Sequence, residues 1–576
     1  DSPYLIAFSN YIWNFEYNKS LAQRIKKQFP DCIIVFGGHN VSPDTSLLDE
    51  NDNIDFLVHG EGEEAFRDIL LCLLGESDLD SIPNISYRAY SGKTKKTQTA
   101  PILLTDFPSP YDAGIFDSII AQHPEIQFSA ILETNRGCPY SCAFCDWCQL
   151  TSKVRMLPEK RILGDLIWMS EHKVEFCYCA DANFGLFPRD EMIIDKLIKL
   201  NTENGYPKKF RVNYAKHNNE TVFNINKKLD TYGISKGATI SFQSLNPQVL
   251  ENIGRKNMPL NKFSELMTLY NNASIPTYSE LILGLPGETY DSFCEGIGKL
   301  LEAGQHTSIL IYNCELIVNS LMANDDYMEE FGIKAAVTPL YLRHDEPDCE
   351  EIPEFSKSVI ATASMSEREW IDSNLFSLIV QSCHGMGLLR WFAVYLYCEK
   401  GVKYQDFYKA LVKWSEDHPY TFVGKEMQFM RGEFKKITEN SGLWSYTNKL
   451  FGNVSWPYEE GLYLNFVYRF EDFYEDIRHF LAGYEIEKDV FDSLMLYQKS
   501  IIKIPGVKSV ELSLDYDFPV YFAKAFVNSH EKLKKKKVEL GAEDSAIPSE
   551  WKDYAKEYIW FGRKEQKNIF AKLMAK

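Results

Sequence analysis

Residues Cys138-Pro-Tyr-Ser-Cys142-Ala-Phe-Cys145 decide how this chain is read. Thiols at this spacing suit three corners of a 4Fe–4S cube and leave its fourth iron without a protein ligand. A cluster used only for electron transfer is closed by four thiolates, and the bacterial ferredoxin run has x2, x2, x3 spacing with a proline after the last cysteine. Here the order is x3 then x2, and the proline follows the first cysteine. Two other readings stand beside the cube: a zinc site, which needs a fourth ligand, and buried reduced cysteines. Cys148 is the candidate fourth ligand, to zinc or to a closed cube of the electron-carrier kind. Cys177 and Cys179, two apart on an expected strand, share one of its faces and read as packing residues.

Composition bounds the rest. With 576 residues, 45% hydrophobic and 14% aromatic, the chain can bury the cores of two or three domains. No apolar run approaches the length of a bilayer span, and the first residues lack a signal peptide's charged region and cleavage site, so the expectation is a cytoplasmic protein with no membrane partner. Thirteen cysteines, clustered rather than spread, fit a reducing compartment. A net charge of −19 argues against a phosphate-tracking surface, and no nucleic-acid partner is expected. The run Lys532 to Lys537 reads as a solvated helix end, having no interleaved aromatics.

Outward from the cysteine loop the chain alternates strand-like and helix-like stretches. Before it come apolar runs at 4–8, 32–36 and 56–58, an amphipathic stretch near 18–29 and a helix from Glu63. These predict a doubly wound α/β sheet over 1–110 that is truncated at its N-terminus, since too few strands precede the loop. After it, strands at 131–132, 174–179, 210–214, 238–242, 278–283 and 308–312 predict a partial (βα)6 barrel over 125–325. Ligands gather at strand C-termini in both architectures. Ser9, Gly37-Gly38-His39 and Gly60-Glu61-Gly62-Glu63 line that edge of the first domain. Residues 326–576 predict a mainly helical domain whose aromatic stripes read as helix core rather than as a substrate channel. His384, in Ser-Cys-His-Gly-Met-Gly387, reads as the residue before a glycine turn rather than as a catalytic group.

The loop, its flanks Glu133 to Trp147 and the order of these motifs resemble the radical S-adenosylmethionine (SAM) enzymes, especially the branch that also carries cobalamin. That resemblance covers residues 1 to about 325. It implies that Cys138, Cys142 and Cys145 are the metal ligands and that the open iron chelates SAM. It implies Asp181 as acceptor for the SAM amino group, with an Asx-type turn as the alternative. Lys216 falls where a cation meets a carboxylate. Gln243 and Ser244, with Arg255 as a fork, are implied at the ribose and carboxylate, against a helix cap and a surface ion pair. Adenine is implied near Leu283, Gly284 and the backbone around Phe144. Cobalamin is implied on Ser9, Gly37, Gly38, His39, Gly60, Glu61, Gly62 and Glu63, with the glycines admitting the nucleotide tail against bare backbone.

The chemistry so implied is reductive cleavage of SAM to a radical that takes hydrogen from an unactivated carbon, with the cofactors carrying the chemistry. Cobalamin beside it points to a methyltransferase acting on carbon or phosphorus of a peptide or small natural product, supplied by an external one-electron reductant of flavodoxin or ferredoxin type. Ring formation or rearrangement without methyl transfer is the rival within enzymes.

Overall fold

Short β-branched and aromatic runs, separated by helices with one apolar stripe, build the N-terminal sheet. In the computed structural model, which describes the chain except residues 1, 90, 103–106, 148–152, 217–219, 236, 341–342, 347–351, 508, 528, 530, 544–546, 563–568 and 576, β1 (Leu5–Ser9), β2 (Ile33–Gly37) and β3 (Phe56–Val58) pair in parallel. β4 (Ile85–Arg88) and β5 (Thr94–Lys96) follow antiparallel, giving the order β1-β2-β3-β4-β5. Both faces are covered. Ala22 of the helix Phe15–Gln28 packs with Ile34, Phe36 and Leu57 on one, and Ala65 and Ile69 of Glu63–Leu73 pack with Val35, Phe56 and Val58 on the other. This is the doubly wound arrangement, with the strand C-termini at one edge.

The second α/β unit begins at β6 (Ser129–Leu132). A two-stranded hairpin, β7 (Asn135–Arg136) with β8 (Arg155–Met156), spans the cysteine loop. Five more strands alternate with helices: β9 (Phe176–Phe184), β10 (Lys209–Tyr214), β11 (Ala238–Gln243), β12 (Thr277–Leu283) and β13 (Ser308–Asn313). The six parallel strands form two triplets, β10-β9-β6 and β11-β12-β13. Along β12 the burial alternates with period two. Leu281 and Leu283 pack outward on Phe263 and Phe293 of the surrounding helices, so Glu280 and Ile282 face inward.

The third region is mainly helical, with two small antiparallel additions: β14 (Lys334–Pro339) with β15 (Phe355–Ala361), and β16 (Ser509–Tyr516), β17 (Lys535–Glu543) and β18 (Met574–Ala575). The lysine run does not end a helix. It leads into β17, where Lys535 and Lys536 pair with Asp489 and Asp517. One apolar cluster runs from Ile240 and Leu281 through Trp370, Phe392 and Tyr463. Each such large buried side chain contributes roughly 1.5–3 kcal/mol, so the helices are welded to the second triplet. No helix among the described residues is long and apolar enough to cross a membrane.

Candidate functional site

The cysteine loop is strapped at its base. Gly137 has φ +94°, and a Cβ there would lie 2.7 Å from the Lys153 carbonyl oxygen, so only glycine lets the two strands of the hairpin close. Backbone bonds tie the loop to the barrel, from Ala143 N to Ile253 O and from Met322 N to Ala143 O. Cys138 and Cys142 are buried and Cys145 half-buried. Each of the first two sulfurs has a donor: Asn183 Nδ2 at 3.2 Å from Cys138 Sγ and Lys216 Nζ at 2.8 Å from Cys142 Sγ. Lys216 also sits 4.3 Å over the Tyr140 ring. Burial pushes the Cys145 thiol up to about 11, which a bound metal would reverse. Among the described residues no three His, Cys, Asp or Glu side chains crowd round one metal ion. A cube makes no such demand, because each thiolate takes a different iron, and buried sulfurs met by N–H donors fit it. Cys148 lies outside the described residues.

Asp181 does not face a ligand. It is fully buried, and its carboxylate accepts from Thr134 N (2.8 Å), Asn135 N (3.2 Å), Asn135 Nδ2 (2.7 Å) and the Thr134 hydroxyl. These bonds fix the turn from β6 into the hairpin; they are neither a SAM contact nor an Asx turn. Burial still pushes its carboxyl up to about 6. Two residues on, at the same face of β9, Asn183 has a buried Oδ1 with no partner among the described residues. Strand parity places it beside Asp181 but does not choose between the two.

At the second triplet, the register slips between Ser241 and Gln243, and Gln243 has φ +67°. Such a bulge re-aims a side chain, here into a cavity that Phe144 also lines. Ser244 points the other way. Its hydroxyl donates to Glu288 Oε2 at 2.5 Å and accepts from Asn246 N, and the cap of the next helix is Asn246, whose Oδ1 accepts from Gln248 N. Arg255 is no surface ion pair. It is buried beside Cys142, donating from Nε to Asn257 Oδ1 (2.9 Å) and from its other end to Ser241 O. Leu283 is buried in the helix-facing core, and Gly284 is bare because a Cβ would come within 3.3 Å of Val359 O. The inward neighbours Glu280 and Ile282 line the cavity instead.

The edge of the first domain docks on the cysteine loop. His39 Nδ1 lies 2.9 Å from Asp146 Oδ2, which lifts the imidazole above its ordinary pKa, and its ring stacks on Tyr11. Asn319 Nδ2 bonds the His39 and Val41 carbonyls. Ser9 is exposed at the end of β1. Gly38 has φ +100°, and a Cβ there would fall 2.6 Å from Asn10 O, so the fold alone already requires glycine. Gly37 and Gly62 would make only ordinary contacts with Val58, at 3.6 and 3.7 Å, while Gly60 has φ +78°. Glu61 and Glu63 turn toward the barrel. Arg136 pairs with both, at 3.0 and 2.8 Å, and Arg155 also grips Glu61. These carboxylates are interdomain ion pairs rather than ligands, and what remains for a cofactor is the edge of Ser9, Gly37, Gly38, Gly60 and Gly62.

The cavity measures about 440 Å³. Its barrel wall holds Phe144, Gln243, Glu280, Ile282 and Asn313, and its opposite wall comes from the helical region, including Asn374, Gln381, Trp444 and Tyr458. The stripes read as helix core therefore also supply a cavity wall. Arg343 is the one cation among the described lining residues, and burial raises the Glu315 carboxyl near it.

Against known proteins, residues 132–299 match the radical SAM superfamily and residues 1–70 the B12 binding domain. The chain is 33% identical over 551 residues to the cobalamin-dependent radical SAM methyltransferase TokK of Streptomyces tokunonensis, covering 90% of this chain and 80% of that one. It is 37% identical over 440 residues to 2-(S-pantetheinyl)-carbapenam-3-carboxylate methyltransferase of Streptantibioticus cattleyicolor, covering 74% of this chain and 64% of that one, just under two thirds. The fold matches OxsB, a cobalamin-dependent SAM radical enzyme solved with aqua-cobalamin and SAM, at a TM-score of 0.51 and 15% identity over 86% of this chain and 75% of that one.

Proposed function

Because the chain belongs to the cobalamin-dependent radical SAM methyltransferases, whose cofactors are a 4Fe–4S cluster, SAM and cobalamin, we propose that Cys138, Cys142 and Cys145 hold the cluster at the mouth of the 440 Å³ cavity. Bound there, these groups supply radical chemistry at an unactivated carbon and a methyl carrier. The residues supply placement. Lys216 and Asn183 donate to the sulfurs, and the unpartnered Asn183 Oδ1 is the acceptor for the SAM amino group in place of Asp181. Gln243 and Glu280 reach the ribose end, with Phe144 against adenine. The N-terminal edge presents cobalamin to the same opening through the His39–Asp146 contact.

The substrate is a small natural product rather than a peptide. The observation that carries this is the cavity itself, closed on its far side by buried helices and of small-ligand size. The second relative's name specifies a pantetheinylated carbapenam carboxylate, and Arg343 is the cation this cavity offers a carboxylate. An external one-electron reductant of the reducing cytoplasm serves the cluster. The test is anaerobic turnover of 2-(S-pantetheinyl)-carbapenam-3-carboxylate with SAM, cobalamin and reductant. A methylated product with both S-adenosylhomocysteine and 5′-deoxyadenosine is expected. 5′-Deoxyadenosine with an altered but unmethylated product would favour cyclisation or rearrangement.

A further inference from the structure

The helix Glu367–Ile379 does not end where its capping would allow; it continues as a π-helical turn over Val380–Gly385. Such turns cost hydrogen-bond geometry and recur at functional sites. This one is pinned from behind. His384 Nδ1 lies 2.8 Å from the Tyr408 hydroxyl and its Nε2 lies 3.0 Å from His306 Nδ1, while Arg390 donates to the His384 carbonyl. So held, the turn puts Gln381 on the cavity wall. Gln381 is only 7% exposed, and among the described residues no hydrogen bond holds its carboxamide. Its carboxamide is not among the wholly buried polar atoms, so it opens on the cavity and is free to meet a ligand there.

Facing the same cavity at the end of β13 is Asn313, and its orientation is fixed by a relay. The Trp370 carbonyl can only accept, so Asn374 must turn Nδ2 to it (3.0 Å) and Oδ1 to Asn313. Asn313 therefore gives Nδ2 to Asn374 (3.2 Å), and its Oδ1 is left buried with no partner among the described residues. One wall thus offers an acceptor and the other a carboxamide that can donate. A trans secondary amide carries its N–H and C=O in opposite directions, so it needs partners on two walls. Between these two side chains an anion would face the bare Asn313 Oδ1, and an ammonium would leave the Gln381 N–H groups unmet.

We propose that Asn313 and Gln381 bind a secondary amide of the substrate between β13 and the π-turn, Asn313 Oδ1 accepting its N–H and Gln381 Nε2 donating to its C=O. The proposal rests on the cavity being the substrate site, as read above, and adds the residues and the group they recognise. The probe is S-methylpantetheine, an amide-bearing chain whose blocked sulfur cannot ligate iron, titrated by saturation-transfer NMR into anaerobically reconstituted holoenzyme without turnover. Wild type should bind it. Gln381→Met and Asn313→Leu should each weaken it about tenfold, and both should retain iron and bind SAM as before. An ester analogue of the probe should bind wild type about tenfold more weakly, a comparison that needs no variant. No binding to wild type, equal binding of ester and amide, or unchanged binding by Gln381→Met would overturn it. So would loss of SAM affinity in these variants, which would assign the pair to adenine. Because no methyl group need move, failure of the methyltransferase reading would appear only in the turnover test.

Discussion

The two strand triplets of the barrel end in opposite ways. At β6, β9, β10 and the adjoining hairpin most polar side chains are committed: Asp181 gathers four donors, Asn183 Nδ2 and Lys216 meet sulfur, and Arg136 locks Glu61 and Glu63, while Asn183 Oδ1 is left open. At β11, β12 and β13 a bulge and a cavity turn Gln243 and, across from it, Gln381 to the cavity, and leave Asn313 Oδ1 without a partner among the described residues. The difference teaches what each is for. A rigid inorganic group needs a rigid holder, whereas a ligand that comes and goes needs groups that wait for it.

The sharpest way to break this contrast is to cross the two halves. Replacing Cys138, Cys142 or Cys145 with Ala should remove the iron and bring SAM cleavage to background, while Gln243→Leu should keep the iron; an iron assay and 5′-deoxyadenosine formation decide it. Next in size is Asp181→Ala. It strands the Thr134 and Asn135 donors and should cost about 3 kcal/mol in a urea transition.

Asp181 also sets a pH trend. With its folded pKa lifted to about 6 above the usual carboxylate value, the folded form binds the extra proton. That favours folding below about pH 4, and the advantage is lost as pH rises through about 6, by up to about 3 kcal/mol. The stability difference between wild type and Asp181→Asn should shift by that sense over this window.

A smaller effect sharpens the ligand half. Gln243 holds a left-handed backbone, which costs a non-glycine residue about 1 kcal/mol. Gln243→Gly should therefore melt no lower than wild type yet bind SAM about tenfold more weakly, by equilibrium dialysis. Smallest is His39→Ala at the half-exposed domain contact, worth well under 1 kcal/mol. Because Asp146 raises the His39 pKa, that contribution is full at low pH and fades as pH climbs through the raised value; denaturation of wild type and variant across pH reads it.

Strands were legible because their signal is local: period-two apolar runs bounded by turns. The strands at 210–214 and 278–283 fall within a residue of the observed ones. What was not legible depended on parity and partnership. Asp181 and Asn183 lie on one face of β9, and nothing local says which is already bonded to Thr134. Leu283 is one residue out of phase with Ile282, and that single step moves a side chain from cavity to core. The close approach of Asn10 to Gly38 is a tertiary contact that no local signal announces. The helical wall had no motif at all, because Asn374 and Gln381 act through a relay and a π-turn that only the fold assembles.

One measurement reaches the centre most directly: the electron paramagnetic resonance spectrum of the anaerobically reconstituted, reduced protein recorded with and without SAM. The account predicts a 4Fe–4S signal whose g-values move when SAM is added, because one iron has no protein ligand. A signal that SAM leaves unchanged would mean that a fourth protein ligand already closes the cube.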